Sequence, residues 1–209
     1  MAILLKRDGR RGGFTLLELL VVTALLGILA SLGHWSGRQW LRDWQVNRAQ
    51  QQLYEDLKLA QSRAEQSGGT VLADGRLVVQ RSFLVFDPEQ AAYGLYRWRD
   101  DDGDGVPQPE ENRRLWQRQL PAGVSFRFAA AVDRRACSNQ TVAPNRAVTF
   151  GSPSYPPCLG RPCVKFDSQG FSVTGPGAVY LSDGRRSLAL SLTRPGLFTL
   201  CRWDGTRWQ

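Results

Sequence analysis

The stretch Gly13-Phe14-Thr15-Leu16-Leu17-Glu18, followed by apolar residues to about Gly33, decides how the chain is read. A short basic leader stands in front of it, with Lys6, Arg7, Arg10 and Arg11 against Asp8. The run is of membrane length, and Glu18 is the one charge inside it. A carboxylate at the centre of a bilayer costs on the order of a few kcal/mol, so Glu18 marks a function and requires a partner. A secretory signal peptide would place small residues for cleavage after the apolar run, whereas His34, Trp35 and Ser36 follow here. An ordinary single-span anchor supplies no reason for Glu18.

Helical patterning continues beyond the apolar run. No proline occurs before Pro88, and Leu53, Leu57, Ala60 and Ala64 recur at spacings of four, three and four, which places them on one helix face. Gly68-Gly69 supplies the stop. The spacing predicts one helix from Phe14 to Ser67, about 50 residues and roughly 75 Å long at 1.5 Å per residue. Gly27, Gly33 and Gly37 are its weakest points.

After Gly69 the period shortens to that of strands. Ser82 to Phe86 and Tyr93 to Trp98, joined by a turn at Asp87-Pro88, read as an antiparallel pair. Further strands are expected at Arg114 to Arg118, Val124 to Phe128, Arg146 to Phe150, Cys163 to Phe166, Gly177 to Ser182, Ser187 to Leu192 and Leu197 to Trp203. Asp183-Gly184 and Pro195-Gly196 divide the last three. Residues Ala129 to Pro162, with several prolines and two cysteines, read as a long crosslinked excursion. One long helix followed by many short strands makes the fold class α+β, with the helix packed on an antiparallel β-sheet head. The expected organisation is a leader at 1–13, a transmembrane and assembly helix at 14–33, an amphipathic continuation at 34–67 and a β-rich head at 70–209.

The residues around Gly13-Phe14 resemble the class III signal of type IV pilins and type II secretion pseudopilins. That resemblance implies cleavage by a prepilin peptidase between Gly13 and Phe14, N-methylation of Phe14, and Glu18 as the fifth mature residue. The new α-amino group is cationic near neutral pH, and Glu18 is its counter-charge when helices pack in a filament. The basic leader fits retention in the cytoplasm. The helix from Gln52 to Glu65, and the closing segments Phe166-Asp167-Ser168-Gln169-Gly170-Phe171 and Leu188 to Arg202, resemble the GspH/FimT group of minor pseudopilins. What this implies is a pilin-like subunit of the inner membrane, single-pass with its head in the periplasm. It would help to initiate or cap a type II secretion pseudopilus or type IV pilus near the filament tip, with major and minor pilins as partners.

Composition sets bounds on the alternatives. The net charge is +8, of which the leader carries three, leaving about +5 on a medium-sized domain. Cys137, Cys158, Cys163 and Cys201 are even in number and belong to an exported region, so disulfides are expected. Of the three pairings, Cys137–Cys158 with Cys163–Cys201 is favoured; the spacings lack paired zinc knuckles and no histidine is near. The single histidine, His34, removes Ser-His-Asp, Cys-His and zinc-hydrolase arrangements, so no enzyme is expected.

Two constellations remain. Asp100, Asp102 and Asp104 stand at positions one, three and five of a calcium-type loop, with Gly105 at six, the Val106 carbonyl at seven and Glu111 at twelve. Pro107 and Pro109 make it a loop-borne site and not a helix pair. Calcium is the only cofactor expected, and a membrane-anchored calcium-binding domain is the corresponding alternative function. Arg97-Trp98-Arg99, Arg113 to Arg118 and Arg202 to Trp208 interleave basic and aromatic residues. They suit phosphate contact and base stacking, so a DNA-binding minor pilin is the second alternative. Against it, strand alternation turns tryptophans inward and arginines outward.

Overall fold

The computed structural model describes residues 15–66, 70–71, 77–78, 80–104, 108–138, 140–151, 158 and 160–209. Contacts divide the chain into two units, Met1–Leu41 and Arg42–Gln209. Helix α1 runs Leu16–Gln66, close to the limits that the periodicity predicts. Gly68-Gly69, the expected stop, lie outside the described residues.

In the first unit the apolar side chains from Leu16 to Leu29 are 47–84 % exposed. In the second, α1 turns a stripe of Val46, Ala49, Leu53, Leu57, Ala60 and Ala64 into the core, each at most 3 % exposed. The expected face is thus extended by two residues toward the N-terminus. A fully buried leucine in such a stripe contributes about 1.5–3 kcal/mol.

The strands are β1 Thr70–Val71, β2 Leu77–Val78, β3 Gln80–Asp87, β4 Ala92–Arg99, β5 Asn112–Gln119, β6 Ser125–Phe126, β7 Cys163–Lys165, β8 Gly177–Ser182, β9 Ser187–Leu192 and β10 Phe198–Arg202. They form two antiparallel four-stranded sheets, ordered β5-β4-β3-β7 and β10-β9-β8-β6, and a small β1-β2 pair. The expected Arg146 to Phe150 strand is reduced to one bridge, Val148 to Val179, and Val124 to Phe128 to the two residues of β6. Both are short because they share the single free edge of β8: β6 pairs with Leu181 and Ser182 while Val148 takes Val179.

Each sheet gives one face to the helix. Leu84, Phe86, Tyr93 and Leu95 from the first and Val179, Leu181, Leu188 and Leu190 from the second join the helix stripe in one cluster. Polar side chains of α1 fix the orientation. Gln61 Nε2 donates to the carbonyls of Gly170 at 2.9 Å and Gly196 at 3.2 Å, and Gln50 Nε2 to those of Ala189 at 2.8 Å and Cys201 at 3.2 Å. Gly196, at φ +85°, has no room for a Cβ against the Gly170 carbonyl and Gln61, which explains glycine in that turn. Asp56 accepts from the Tyr93 hydroxyl at 2.8 Å and pairs with Arg118 at 3.0 Å. Burial raises the Asp56 carboxyl above its ordinary value, and these two partners offset part of the rise.

The opposite face of each sheet carries one disulfide, and the pairing corrects the expected one. Cys137 bonds to Cys201, and Cys158 to Cys163. Cys201 lies with Ala178, Tyr180, Ala189 and Trp208 on the outer face of the second sheet, where Val132 and Ala136 of the excursion cover it. Cys163 and Cys158 lie with Phe83, Val85 and Trp98 on the outer face of the first. Both faces point away from the shared core, so Cys163 and Cys201 cannot meet. Cys137 itself holds φ +53°, a backbone state that costs about 1–2 kcal/mol for an L residue and is held here by its crosslink.

The Cys137–Cys201 bond closes a sequence separation of 64 and the other a separation of 5, so chain entropy assigns roughly 4 and roughly 2 kcal/mol to them. Replacing Cys137 and Cys201 together by Ala is expected to lower Tm by about 8–16 °C in non-reducing calorimetry. The Cys158→Ala/Cys163→Ala pair is expected to lower it by less, and the reverse ranking would contradict this account.

Candidate functional site: the helix start and the acidic loop

Helix α1 starts with a cap. Thr15 Oγ1 accepts from the Glu18 backbone N–H at 3.2 Å, and the Thr15 carbonyl accepts from Leu19 N–H at 3.2 Å. Thr15 is therefore the N-cap residue and Glu18 the third helical one, the Thr-x-x-Glu spacing of a capping box. A carboxylate in the first turn also faces the positive end of the helix dipole, a contribution of about 0.3–1 kcal/mol at exposed sites. Thr15 is the residue that attention to Glu18 alone overlooks, although the capping spacing was visible. Glu18 remains exposed, its side chain available to a partner. Gly13 and Phe14, the expected processing junction, lie outside the described residues.

The acidic loop follows β4. Asp100 is 2 % exposed, and its Oδ1 accepts from Gly103 N–H at 2.8 Å. Asp102 Oδ1 accepts from Asp104 N–H at 3.1 Å, and this backbone bond leads the interactions that hold the Asp102 carboxyl below its ordinary value. Single carboxylate oxygens of Asp100, Asp102 and Asp104 lie within 4.8 Å of one another. Oxygens bound to one calcium ion at 2.3–2.6 Å are separated by no more than about that distance. Gln108 Nε2 reaches across the group, donating to Asp102 Oδ2 at 2.8 Å and Asp104 Oδ2 at 3.2 Å.

Glu111 has a different place from the one expected. Its Oε2 accepts from Trp98 Nε1 at 2.7 Å and Gln108 N–H at 3.1 Å, and its Oε1 from Asp101 N–H at 2.9 Å. Burial works to raise its carboxyl, but the bonds from Trp98, Gln108 and Asp101 outweigh it and the net direction is down. The carboxylate thus clasps both ends of the loop to the indole beneath it, and does not join the aspartate group. Val106, the expected carbonyl ligand, lies outside the described residues.

The basic and aromatic segments divide as strand alternation requires. Trp98 and Trp208 are buried and Trp116 and Trp203 half-buried, while Arg113, Arg114, Arg118, Arg202 and Arg207 are exposed. These tryptophans pack inward, Trp116 against Tyr93 and Trp203 against Trp208, so what these segments offer an anion is chiefly guanidinium.

Residues 8–33 match the family model described as the prokaryotic N-terminal methylation motif. The match takes in Arg10 and Arg11 of the leader, the Gly13-Phe14 junction and Glu18. No curated protein and no solved structure matches the chain. The chain therefore carries a prepilin-type signal of the kind found on type IV pilin-like proteins and pseudopilins, which implies processing by a prepilin peptidase and assembly with other pilins. Among the described residues, no helix is long and apolar enough to cross a membrane.

The clasp is open to test. Glu111→Gln keeps the shape but weakens three charge-assisted bonds, with an expected loss of about 1–2 kcal/mol. Hydrogen exchange at the Asp101 and Gln108 amides should accelerate more than in the core strands, and unchanged exchange there would refute the clasp.

Proposed function

We propose that this chain is a minor pilin or pseudopilin of the GspH/FimT kind, a structural subunit that helps to initiate or cap a type II secretion pseudopilus or a type IV pilus. The observation that carries this reading is the methylation motif over residues 8–33, with Glu18 in the first helical turn. The exposed leucines and valines from Leu16 to Leu29 support it, since an apolar helix surface of that extent needs lipid or other helices around it. In this reading the helix crosses the inner membrane once before assembly, and the head lies in the periplasm. Glu18 then pairs with the Phe14 amine of a neighbouring subunit and sets the register. The role is mechanical and not enzymatic, in keeping with a chain whose one histidine is His34.

Co-expression with a prepilin peptidase, followed by mass spectrometry of the mature N-terminus, is expected to give a chain beginning at N-methylated Phe14. An intact leader would overturn the reading.

A second reading concerns the head. The convergence of Asp100, Asp102 and Asp104 favours calcium bound by the loop, in a geometry that leaves Glu111 in its clasp. Millimolar calcium is expected to raise the Tm of the wild-type chain and to leave that of Asp102→Asn unchanged. An equal response of both would exclude this loop as the site.

A further inference from the structure

A concavity of about 390 Å³ opens at the β5 edge of the first sheet. Arg97 and Arg99 of β4 line it together with Arg113 and Arg114 of β5. Arg97 and Arg113 are direct partners in the β4–β5 register. Their side chains therefore leave the same face with Cβ atoms about 4.5–5.5 Å apart, and Arg99, two residues on, shares that face. Like charges directly opposite in an antiparallel pair are destabilising.

Among the described residues the fold leaves Arg97 and Arg113 without an acidic partner. Arg97 Nε is buried without a hydrogen-bond partner, and neither Arg97 nor Arg113 forms an ion pair among the described residues. The acidic side chains on the walls are engaged or turned elsewhere. Asp101 pairs with Arg99 at 2.9 Å. Glu111 uses both oxygens on Trp98, Asp101 and Gln108. Glu110 is exposed and pairs with no described cation.

We propose that Arg97, Arg99 and Arg113 bind a compact phosphate-type oxyanion in this concavity. Guanidinium forks match a tetrahedral oxyanion in a bidentate manner, and three of them converge here from adjacent strands. The volume lies at the small end of ligand pockets and suits a headgroup-sized anion. The neighbouring carboxylates Asp101 and Glu110 and the loop from Asp100 to Asp104 repel a polyanion that extends past the site, so a compact anion is favoured over a nucleic-acid strand. Anion binding removes the Arg97–Arg113 repulsion and joins β4 to its edge strand. The proposal is independent of filament assembly.

The test uses the full chain in detergent, titrated calorimetrically at constant ionic strength with inorganic phosphate and, in parallel, with glycerophosphoglycerol, the headgroup of an anionic lipid. Saturable one-to-one binding is expected, weakened at least about tenfold in Arg97→Gln and in Arg113→Gln. Glu110→Gln should tighten it, and Arg185→Gln, on the β8–β9 turn, should leave it unchanged. Because Arg113 is exposed, its variant keeps the fold, and in phosphate-free buffer its Tm should equal or exceed that of the wild type. Phosphate should raise the wild-type Tm but not that of Arg113→Gln. Tighter binding of inorganic phosphate would identify a soluble anion as the ligand, and tighter binding of the headgroup a lipid. No saturation by either, or affinity retained in both arginine variants, would overturn the proposal.

Discussion

The second unit is organised around one buried helix stripe. Val46, Ala49, Leu53, Leu57, Ala60 and Ala64 form a helical surface that both sheets share, and the inner faces of β3, β4, β8 and β9 close over it. The stripe combines the small Ala49, Ala60 and Ala64 with the larger Val46, Leu53 and Leu57. Leucine at 53 and 57 fills its middle, and the fully buried rings of Phe86, Phe150 and Phe166 belong to the same close-packed cluster. Because the stripe is apolar, orientation about the helix axis must come from elsewhere. Gln50 and Gln61 supply it by donating to strand carbonyls of the second sheet and its turns, and Asp56 does so by its pairing with Tyr93 and Arg118 of the first. Polar groups flanking a smooth stripe thus specify one docking where packing alone would tolerate several.

Once the inner faces are committed, the outer faces need cover of their own, and loops provide it. The excursion from Ala129 lies over Tyr180 and Ala189, and the Cys158–Cys163 loop lies over Phe83 and Val85. Among the described residues neither loop carries a regular strand to hold it, and each is tied by a disulfide. The longer crosslink joins the excursion to β10, the outermost strand of its sheet, and adds a covalent tie to the backbone ladder with β9 and the bond from Gln50 to the Cys201 carbonyl.

Charge is placed in three local arrangements. At the start of α1, Thr15 and Glu18 satisfy the helix end while leaving the carboxylate outward. At the end of β4, Glu111 binds the acidic loop to the Trp98 indole, whose ring also lies near Lys165 and Arg81. Burial, with Arg81 nearby, brings Lys165 down to about 8, so the aromatic ring has one buried amine and one exposed guanidinium close to it. Beside them, on the other face of the same strand, Arg97 meets Arg113. Successive residues of β4 therefore present an anion-seeking face and a cation-bearing aromatic face, a direct result of the two-residue period of a strand.

The features legible in the sequence are those set by local rules. Helix extent followed from periodicity and the absence of proline. The β3–β4 and β8–β9–β10 hairpins followed from alternation interrupted by Asp-Pro, Asp-Gly and Pro-Gly turns, and the prepilin-type signal from a contiguous motif. Tertiary structure decided whatever depends on which face of a strand looks where. It moved the disulfides to Cys137–Cys201 and Cys158–Cys163, since Cys163 and Cys201 lie on faces that diverge from a common core. It drew Glu111 away from the aspartates, because an indole donor thirteen residues earlier lay within reach across the sheet edge. It also set Arg97 opposite Arg113, a pairing created by strand register, in which residues distant along the chain become nearest neighbours.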